Sequence, residues 1–227
     1  MEDYSITTTW PADGLPNTLA DRTRHVYDRL AAVYPLSTMF FHSRAHRCAL
    51  DASGIQDGMR VLEVATGSGE MFRRIVGANP SGDTIGVDLS PNMALRTQRR
   101  ARRDFPGTRA HCQAVDARQM PFRSETFDAV VCCYLLELLS AEDIRRTVRE
   151  FHRVLRRPGR LALVLIGENT AAFNRLYRLA GSVAPAFWGR QVEHSIPEVI
   201  RGANFRIAQD VMVKQSGYPS RVLAARK

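Results

Sequence analysis

The chain has 227 residues, of which 44% are hydrophobic and 24% are charged. These values exclude a disordered or collagen-like chain and suit one α/β domain. The formal net charge of +9 favours anionic partners such as nucleic acid, acidic lipid or phosphorylated compounds. No apolar run approaches the ~18–20 residues of a membrane-spanning helix, and the start of the chain lacks the pattern of a secretory signal. The four cysteines have no metal-binding spacing, so we expect reduced thiols in a cytoplasmic protein.

The positive charge is almost entirely arginine, since Lys214 and Lys227 are the two lysines among 32 basic residues. The densest stretches are 96–103 and 145–157. Solvated helix faces are the simpler interpretation of such runs, and we favour it. Peripheral contact with an anionic membrane, at its inner face, stays open as the alternative.

The sequence predicts an N-terminal arm followed by a single domain. Residues 1–20 are polar and carry two prolines, which predicts a flexible N-terminal arm. Residues 21–227 are expected to form a single domain, in which 21–55 make a helical entrance segment interrupted at Pro35.

After the entrance segment, short β-rich runs alternate with amphipathic stretches. Strands are predicted over 60–65, 83–90, 109–116, 127–136, 160–167, 204–213 and 220–227. Helices are predicted over 71–79, 92–104, 140–157 and 196–203. The aromatic-containing insertion at 168–194 follows the fifth strand. We interpret it as a lid over the acceptor pocket, with a helix that packs against the entrance segment as the alternative.

This alternation predicts a doubly wound, Rossmann-like α/β fold. The sheet should have seven strands, mostly parallel, with an antiparallel C-terminal strand, because the last two predicted strands form a hairpin. In such folds the ligand lies beyond the C-terminal ends of the strands, beside the first strand.

Acidic and glycine residues occur at three successive strand ends. Glu63, Ala65, Gly67 and Gly69 surround the first strand-to-helix turn, where glycines allow close backbone approach to a ligand. Asp88 ends the second strand, at a spacing suited to chelating a ribose diol. Asp116 and a following alanine end the third strand, where the carboxylate could accept from an adenine amino group. A phosphate-binding Gly-Lys-Ser/Thr sequence is missing, so the pattern indicates a nucleoside without a pyrophosphate.

These motifs, in this order, resemble those of the class I S-adenosylmethionine-dependent methyltransferases. They read VLEVATGSGE, GVDLSPNM, VDARQMPFRSETFDAVVCCYLLELL and RVLRRPGRLALV. The resemblance implies S-adenosyl-L-methionine as cofactor, with Glu63 organising the methionine ammonium, Asp88 the ribose and Asp116 the adenine. The cofactor-binding set expected from it is Tyr27, Tyr34, Glu63, Ala65, Gly67, Ser68, Gly69, Asp88, Leu89, Met93, Asp116, Ala117 and Cys133.

The segment HVYDRLAAVYPLSTMFFHSRAHR resembles the entrance of the ubiquinone/menaquinone biosynthesis C-methyltransferases, which carry a type 11 methyltransferase domain. Tyr34 and His46 fall at matching positions of that signature. After the fourth strand, however, Glu137 stands where that family has an arginine. The wider family is therefore the stronger implication, and the quinone acceptor the weaker one.

Methyl transfer to a phenol-like ring also needs a base, because the hydroxyl proton must leave. His46 and Glu137 are the catalytic candidates, with His42 and His194 as further ones. The resemblance implies a small or lipid-like acceptor, with a phospholipid amine headgroup or an isoprenoid quinone favoured. A soluble secondary metabolite, RNA, and a non-catalytic protein that binds S-adenosylmethionine remain alternatives. Nucleic acid is disfavoured because the fourth strand lacks the Asn/Asp-Pro-Pro-aromatic clamp of base-amino methyltransferases.

Overall fold

The computed structural model describes residues 43–167, 192, 194–214 and 219–227. The predicted arm at 1–20, Tyr27 and Tyr34 lie outside these residues, as do His42 and nearly all of the predicted lid. Of the entrance segment, the structure describes the part from Ser43 onward.

The described elements alternate along the chain as the sequence predicts. The helices are α1 (Ser43–Ser53), α2 (Glu70–Ala78), α3 (Pro91–Asp104), α4 (Ala141–Val154) and α5 (Ile196–Gly202), with a 3-10 turn at Leu136–Leu138. The strands are β1 (Arg60–Val64), β2 (Asp83–Asp88), β3 (Arg109–Ala114), β4 (Phe127–Cys133), β5 (Leu155–Ile166), β6 (Arg206–Val213) and β7 (Ser220–Arg226).

These seven strands form one sheet in the order β3-β2-β1-β4-β5-β7-β6. The first five strands pair in parallel, whereas β7 runs antiparallel to both β5 and β6. The predicted fold class is therefore confirmed. The strand order reverses between β1 and β4, which are neighbours although they are separated in the chain, and their C-terminal ends mark the expected ligand site.

Helices cover both faces of the sheet. On one face, Ala45 and Ala49 of α1 pack with Met71 and Ile75 of α2 against alternate strand residues such as Val131. On the same side, α3 closes against α2 and β3 through Phe72, Val76, Ala101 and Ala110. The opposite face is covered by α4 and α5, whose buried residues include Ile144, Val148, Phe151, Ile196 and Ile200. Burial of both faces explains why the central strands read as continuous apolar runs.

Several predicted boundaries were wrong: strand β2 ends at Asp88 rather than at 90, and strand β6 begins at Arg206 rather than at 204. The fourth helix ends at Val154 rather than at 157, and Leu155 is extended and fully buried, paired with Phe127. Strand β3 ends at Ala114, so Asp116 lies two residues beyond it. Strand β4 ends at Cys133, because the chain turns at a positive φ of 56° in the next residue and enters the 3-10 turn.

All four cysteines belong to the described residues, and none forms a disulfide. Burial raises the pKa of the Cys112 thiol to about 12 and that of Cys132 well above its usual value. These thiols therefore stay protonated at neutral pH and behave as small apolar side chains. In the described parts of the chain, no helix has the length and apolar character needed to cross a membrane.

Candidate active site

The turn between β1 and α2 bends back on itself through three left-handed residues. Ala65, Gly67 and Gly69 have φ values of 63°, 48° and 78°. Two side chains of α3 hold this turn: Thr97 Oγ1 donates to the Gly67 carbonyl at 3.3 Å, and Arg100 Nη1 donates to the Ser68 carbonyl at 2.7 Å. These two hydrogen bonds fix the turn against α3.

The carboxylate of Asp88, at the end of β2, connects this turn to the next one. Its Oδ2 accepts from the Gly67 backbone N–H at 2.7 Å, and its Oδ1 accepts from the Ser90 N–H at 2.9 Å. These two contacts fix the orientation of the Asp88 carboxylate between the two turns. Met93 N–H in turn donates to Ser90 Oγ at 3.2 Å, which begins α3 beside the same carboxylate.

Glu63 is a buried acid in the middle of the sheet. It lies on β1 between Gly86 of β2 and Val131 of β4, with 1% of its surface exposed. Among the described residues, its Oε2 has no hydrogen-bond partner. Burial, reinforced by the nearby charge of Asp88, raises the pKa of Glu63 well above its usual range. Burial of a carboxyl oxygen without a hydrogen-bond partner costs free energy, and a bound ligand could supply that partner.

The two glycines of the turn differ in what surrounds them. A Cβ on Gly69 would come within 2.7 Å of Thr97 Oγ1, so packing against α3 demands glycine there. A Cβ on Gly67 would meet no atom of the described residues within 4 Å. Gly67 therefore borders open space in the direction in which a side chain would project.

The third predicted acid is already paired. Both oxygens of Asp116 accept from the guanidinium of Arg118, at 2.7 to 3.1 Å, and Oδ1 also accepts from the Arg118 backbone N–H at 2.9 Å. Although burial opposes it, this pairing lowers the pKa of Asp116. Arg118 was not singled out in the sequence, although a guanidinium two residues after an acid in a turn is a signal for such a pair.

The remaining cofactor candidates lie around these strand ends. Leu89, Ala117 and Ser68 are half-buried. Met93, in the first turn of α3, is fully buried. Cys133 ends β4. Burial, and to a lesser extent the nearby charge of Glu63, raises the pKa of its thiol well above the usual value. The described members of the predicted cofactor set therefore lie at or near the C-terminal ends of β1 to β4.

A second group of side chains lies where β4 ends, next to α1 and β7. Tyr134 has φ 56°, its N–H donates to the Val164 carbonyl at 2.8 Å, and its hydroxyl lies 2.8 Å from Ser220 Oγ. The ring of His46 lies 6.1 Å from the Tyr134 ring, centroid to centroid. A positive φ in a tyrosine is uncommon and often marks a functional site. Sequence reasoning passed over Tyr134, although its position directly after the fourth strand could have drawn attention to it.

Glu137 lies in the 3-10 turn after β4 and is 1% exposed. Its Oε1 accepts from the backbone N–H of Ile166 at 2.6 Å. This contact fastens the end of β5 to the turn, which is a structural task in addition to the predicted catalytic one. His194, the further candidate, is exposed before α5.

Comparison with known proteins agrees with this geometry. Residues 61–159 match the family model described as a methyltransferase domain. The class I S-adenosylmethionine-dependent methyltransferase resemblance is confirmed. The chain is similar to the ubiquinone/menaquinone biosynthesis C-methyltransferase UbiE of Cellvibrio japonicus, with 31% identity over 64% of this chain and 59% of that protein. The chain therefore matches less than two thirds of that relative's length.

Solved methyltransferase-like structures share the fold. The N-methyltransferase NodS of Bradyrhizobium japonicum, in complex with S-adenosyl-L-homocysteine, has a TM-score of 0.73 at 17% identity, covering 90% of this chain and 98% of that one. The cyclase SpnF has a TM-score of 0.76 at 18% identity, covering 95% of this chain and 99% of that one. Since one of these proteins is named a methyltransferase and the other a cyclase, the methyltransferase-like fold alone does not decide the reaction.

Proposed function

We propose that this protein is an S-adenosylmethionine-dependent methyltransferase that acts on a small or lipid-like acceptor. The observation that carries the proposal is the buried Glu63, whose Oε2 has no hydrogen-bond partner in the described part of the chain, together with the nearby Asp88 and the space beside Gly67. The similarity to a C-methyltransferase and to a structure holding S-adenosyl-L-homocysteine supports it.

The residues present fit the proposed donor. S-adenosylmethionine carries an ammonium group, a ribose diol and an adenine, but no phosphate. Glu63 would hold the ammonium, Asp88 the diol, and Asp116 with Ala117 the adenine, while the open space at Gly67 admits the ligand against the backbone. The bound donor would supply an activated methyl group on its sulfonium. The chain's residues then contribute binding, alignment and exclusion of water.

Arg118 modifies the proposed adenine contact. Because its guanidinium already engages both oxygens of Asp116, an adenine amino group would have to share that carboxylate. The same pairing keeps Asp116 ionised, since it lowers the pKa of that carboxyl. We therefore assign Asp116 a fixed acceptor role rather than one in proton transfer.

On the acceptor side, we propose that His46, Tyr134 and Glu137 act near the transferred methyl group. A hydroxylated ring must lose a proton for carbon or oxygen methylation, and an amine must be neutral to attack. His46 offers an imidazole, the side chain that most often serves as a general base. Glu137 can do so only through the oxygen that does not bind Ile166.

Among acceptors we place an isoprenoid quinone or a phospholipid amine headgroup first. The similarity to the ubiquinone/menaquinone biosynthesis C-methyltransferase of Cellvibrio japonicus supports the quinone. The rings of His46 and Tyr134 suit either acceptor, because an aromatic ring can contact a quinone or hold a methylated amine by cation–π attraction.

The test uses S-adenosylmethionine labelled on its methyl group, incubated with the protein and a total bacterial extract. The products are partitioned between organic solvent and water. Label in the organic phase is expected, and chromatography of that fraction distinguishes quinone from phospholipid. Label only in the aqueous phase would replace the lipid-like acceptor by a soluble metabolite or RNA. A protein that binds the donor but labels nothing would contradict the enzymatic proposal.

A further inference from the structure

The outer face of α3 carries a groove of about 350 Å³ that is lined by arginine. The described lining residues are Asn92, Leu95, Arg96, Arg99, Arg100 and Arg103. Together, α2 and α3 contain seven arginines and two carboxylates, a formal charge of +5 on this side of the molecule. One lining residue, Arg100, also donates to the Ser68 carbonyl of the glycine turn, and the described lining residues include none of the three strand-end acids.

The positive charge of the groove is only partly compensated. Arg103 pairs with Asp104 at 2.7 Å, and Asp104 also binds Arg73 at 2.6 Å. Within the described chain, Arg99 has no ion-pair partner and is exposed. The pKa of Arg100 is lowered by burial and then by the neighbouring charges of Arg73 and Arg96, two further cations. An anion in this groove would relieve that crowding.

The groove also has an apolar centre. Leu95 is 49% exposed, which is unusual among the large hydrophobic side chains of the described residues. On the helix, Arg96 follows Leu95 directly and Arg99 lies one turn further along, so cations flank it. A leucine among arginines suits the boundary between lipid headgroups and acyl chains, where the apolar tip inserts and the guanidinium groups meet phosphates.

From these observations we propose that the outer face of α3 is a docking surface for an anionic phospholipid membrane. Helices with four to eight basic residues are typical of binding to acidic lipid, and α3 has five arginines. RNA is the less suitable partner, because the described lining residues include no aromatic ring on which a base could stack.

The surface can be tested without touching the proposed active site. Arg100 is left intact because its guanidinium also fixes the glycine turn through Ser68. The test variant is Arg99→Gln/Arg103→Gln, whose residues lie four apart on α3. Asp104 keeps Arg73 as a partner in this variant, so the helix end stays neutralised. The matched control is Arg145→Gln/Arg149→Gln, an exposed pair with the same spacing on α4, which covers the opposite face of the sheet.

Binding of the full chain is measured by co-sedimentation with phosphatidylglycerol-containing vesicles and with neutral phosphatidylcholine vesicles. We expect binding to the anionic vesicles that weakens in high salt. The α3 variant should bind about 30-fold more weakly, since each basic side chain near an anionic surface contributes about fivefold. The α4 control, with the same net charge, should bind like the unmodified protein. Thermal unfolding establishes that both variants are folded.

Three results would overturn the proposal. These are equal binding to neutral and anionic vesicles, equal losses in the two double variants, and binding to single-stranded RNA without binding to vesicles. The measurement involves neither donor nor acceptor, so a failure here is distinguishable from a failure of the proposed methyl transfer.

Discussion

The backbone N–H of Gly67 donates to Oδ2 of Asp88 at 2.7 Å, across 21 residues of chain. This bond ties the glycine turn after β1 to the end of β2. The same carboxylate therefore fixes the conformation of the turn from the neighbouring strand. A ligand that binds Asp88 would be positioned relative to the glycine turn without further adjustment, which is the preorganisation that precise alignment requires.

Replacing Glu63 by glutamine should stabilise the ligand-free protein. The pKa of this carboxyl is raised above its ordinary value of 4.5 in the folded protein, so the folded state holds the proton more tightly than the unfolded state does. The contribution of Glu63 to the free energy of unfolding is therefore fully present below pH 4.5 and is lost as the pH rises through the folded pKa. Glu63→Gln removes that loss, so we expect a higher Tm at pH 7 and a smaller gain at pH 5.

The same substitution should weaken binding of S-adenosylmethionine about 10- to 100-fold, because a charged partner of the ammonium is lost. Calorimetry and thermal unfolding on one preparation measure both effects. Glu142→Gln, at an exposed position on α4, is the control and should leave donor affinity unchanged. A Tm gain without loss of affinity would leave Glu63 a buried acid with no ligand role.

Gly67→Ala should abolish donor binding, whereas its effect on the free energy of unfolding should be small. The positive φ makes alanine strained there, at about 1 kcal/mol, but its methyl group would project into space that is open in the ligand-free protein. Gly58→Ala is matched, because Gly58 also has a positive φ, of 88°, and open surroundings. We expect similar losses in the free energy of unfolding from both. Equal donor affinities of the two variants would show that the space at Gly67 is not the ligand site.

Glu137→Gln separates the two tasks of that residue. The amide oxygen can still accept from the Ile166 N–H, so the free energy of unfolding should change by less than about 1 kcal/mol. An amide cannot take up a proton, so transfer to a hydroxylated acceptor should fall about 100-fold or more. Full activity in this variant, with unchanged Tm, would restrict Glu137 to fastening β5.

The sequence predicts the sheet well because its signals are local and mutually consistent. Buried apolar runs such as 127–133 identify the strands, and the glycine turn after Val64 identifies the end of the sheet at which a ligand is expected. The ends of elements depend on contacts between distant residues. Leu155 belongs to β5 because it pairs with Phe127, which no local pattern shows.

The partners of the site residues were equally hidden. The pairing of Asp116 with Arg118, and the bond between the Tyr134 and Ser220 hydroxyls across 86 residues, depend on side-chain directions that only the assembled fold defines. The types and approximate positions of the strand-end acids were therefore predictable, whereas their hydrogen-bond partners were not.

The most direct test of the donor site is a calorimetric titration of S-adenosylmethionine into the protein and two variants. Asp88→Asn changes the acid at the C-terminal end of β2, and Asp83→Asn changes the acid at the opposite end of the same strand, where it pairs with Arg109. We predict that the unmodified protein and Asp83→Asn bind the donor equally, and that Asp88→Asn binds at least about tenfold more weakly. No binding to the unmodified protein, or equal affinity in all three, would contradict the account.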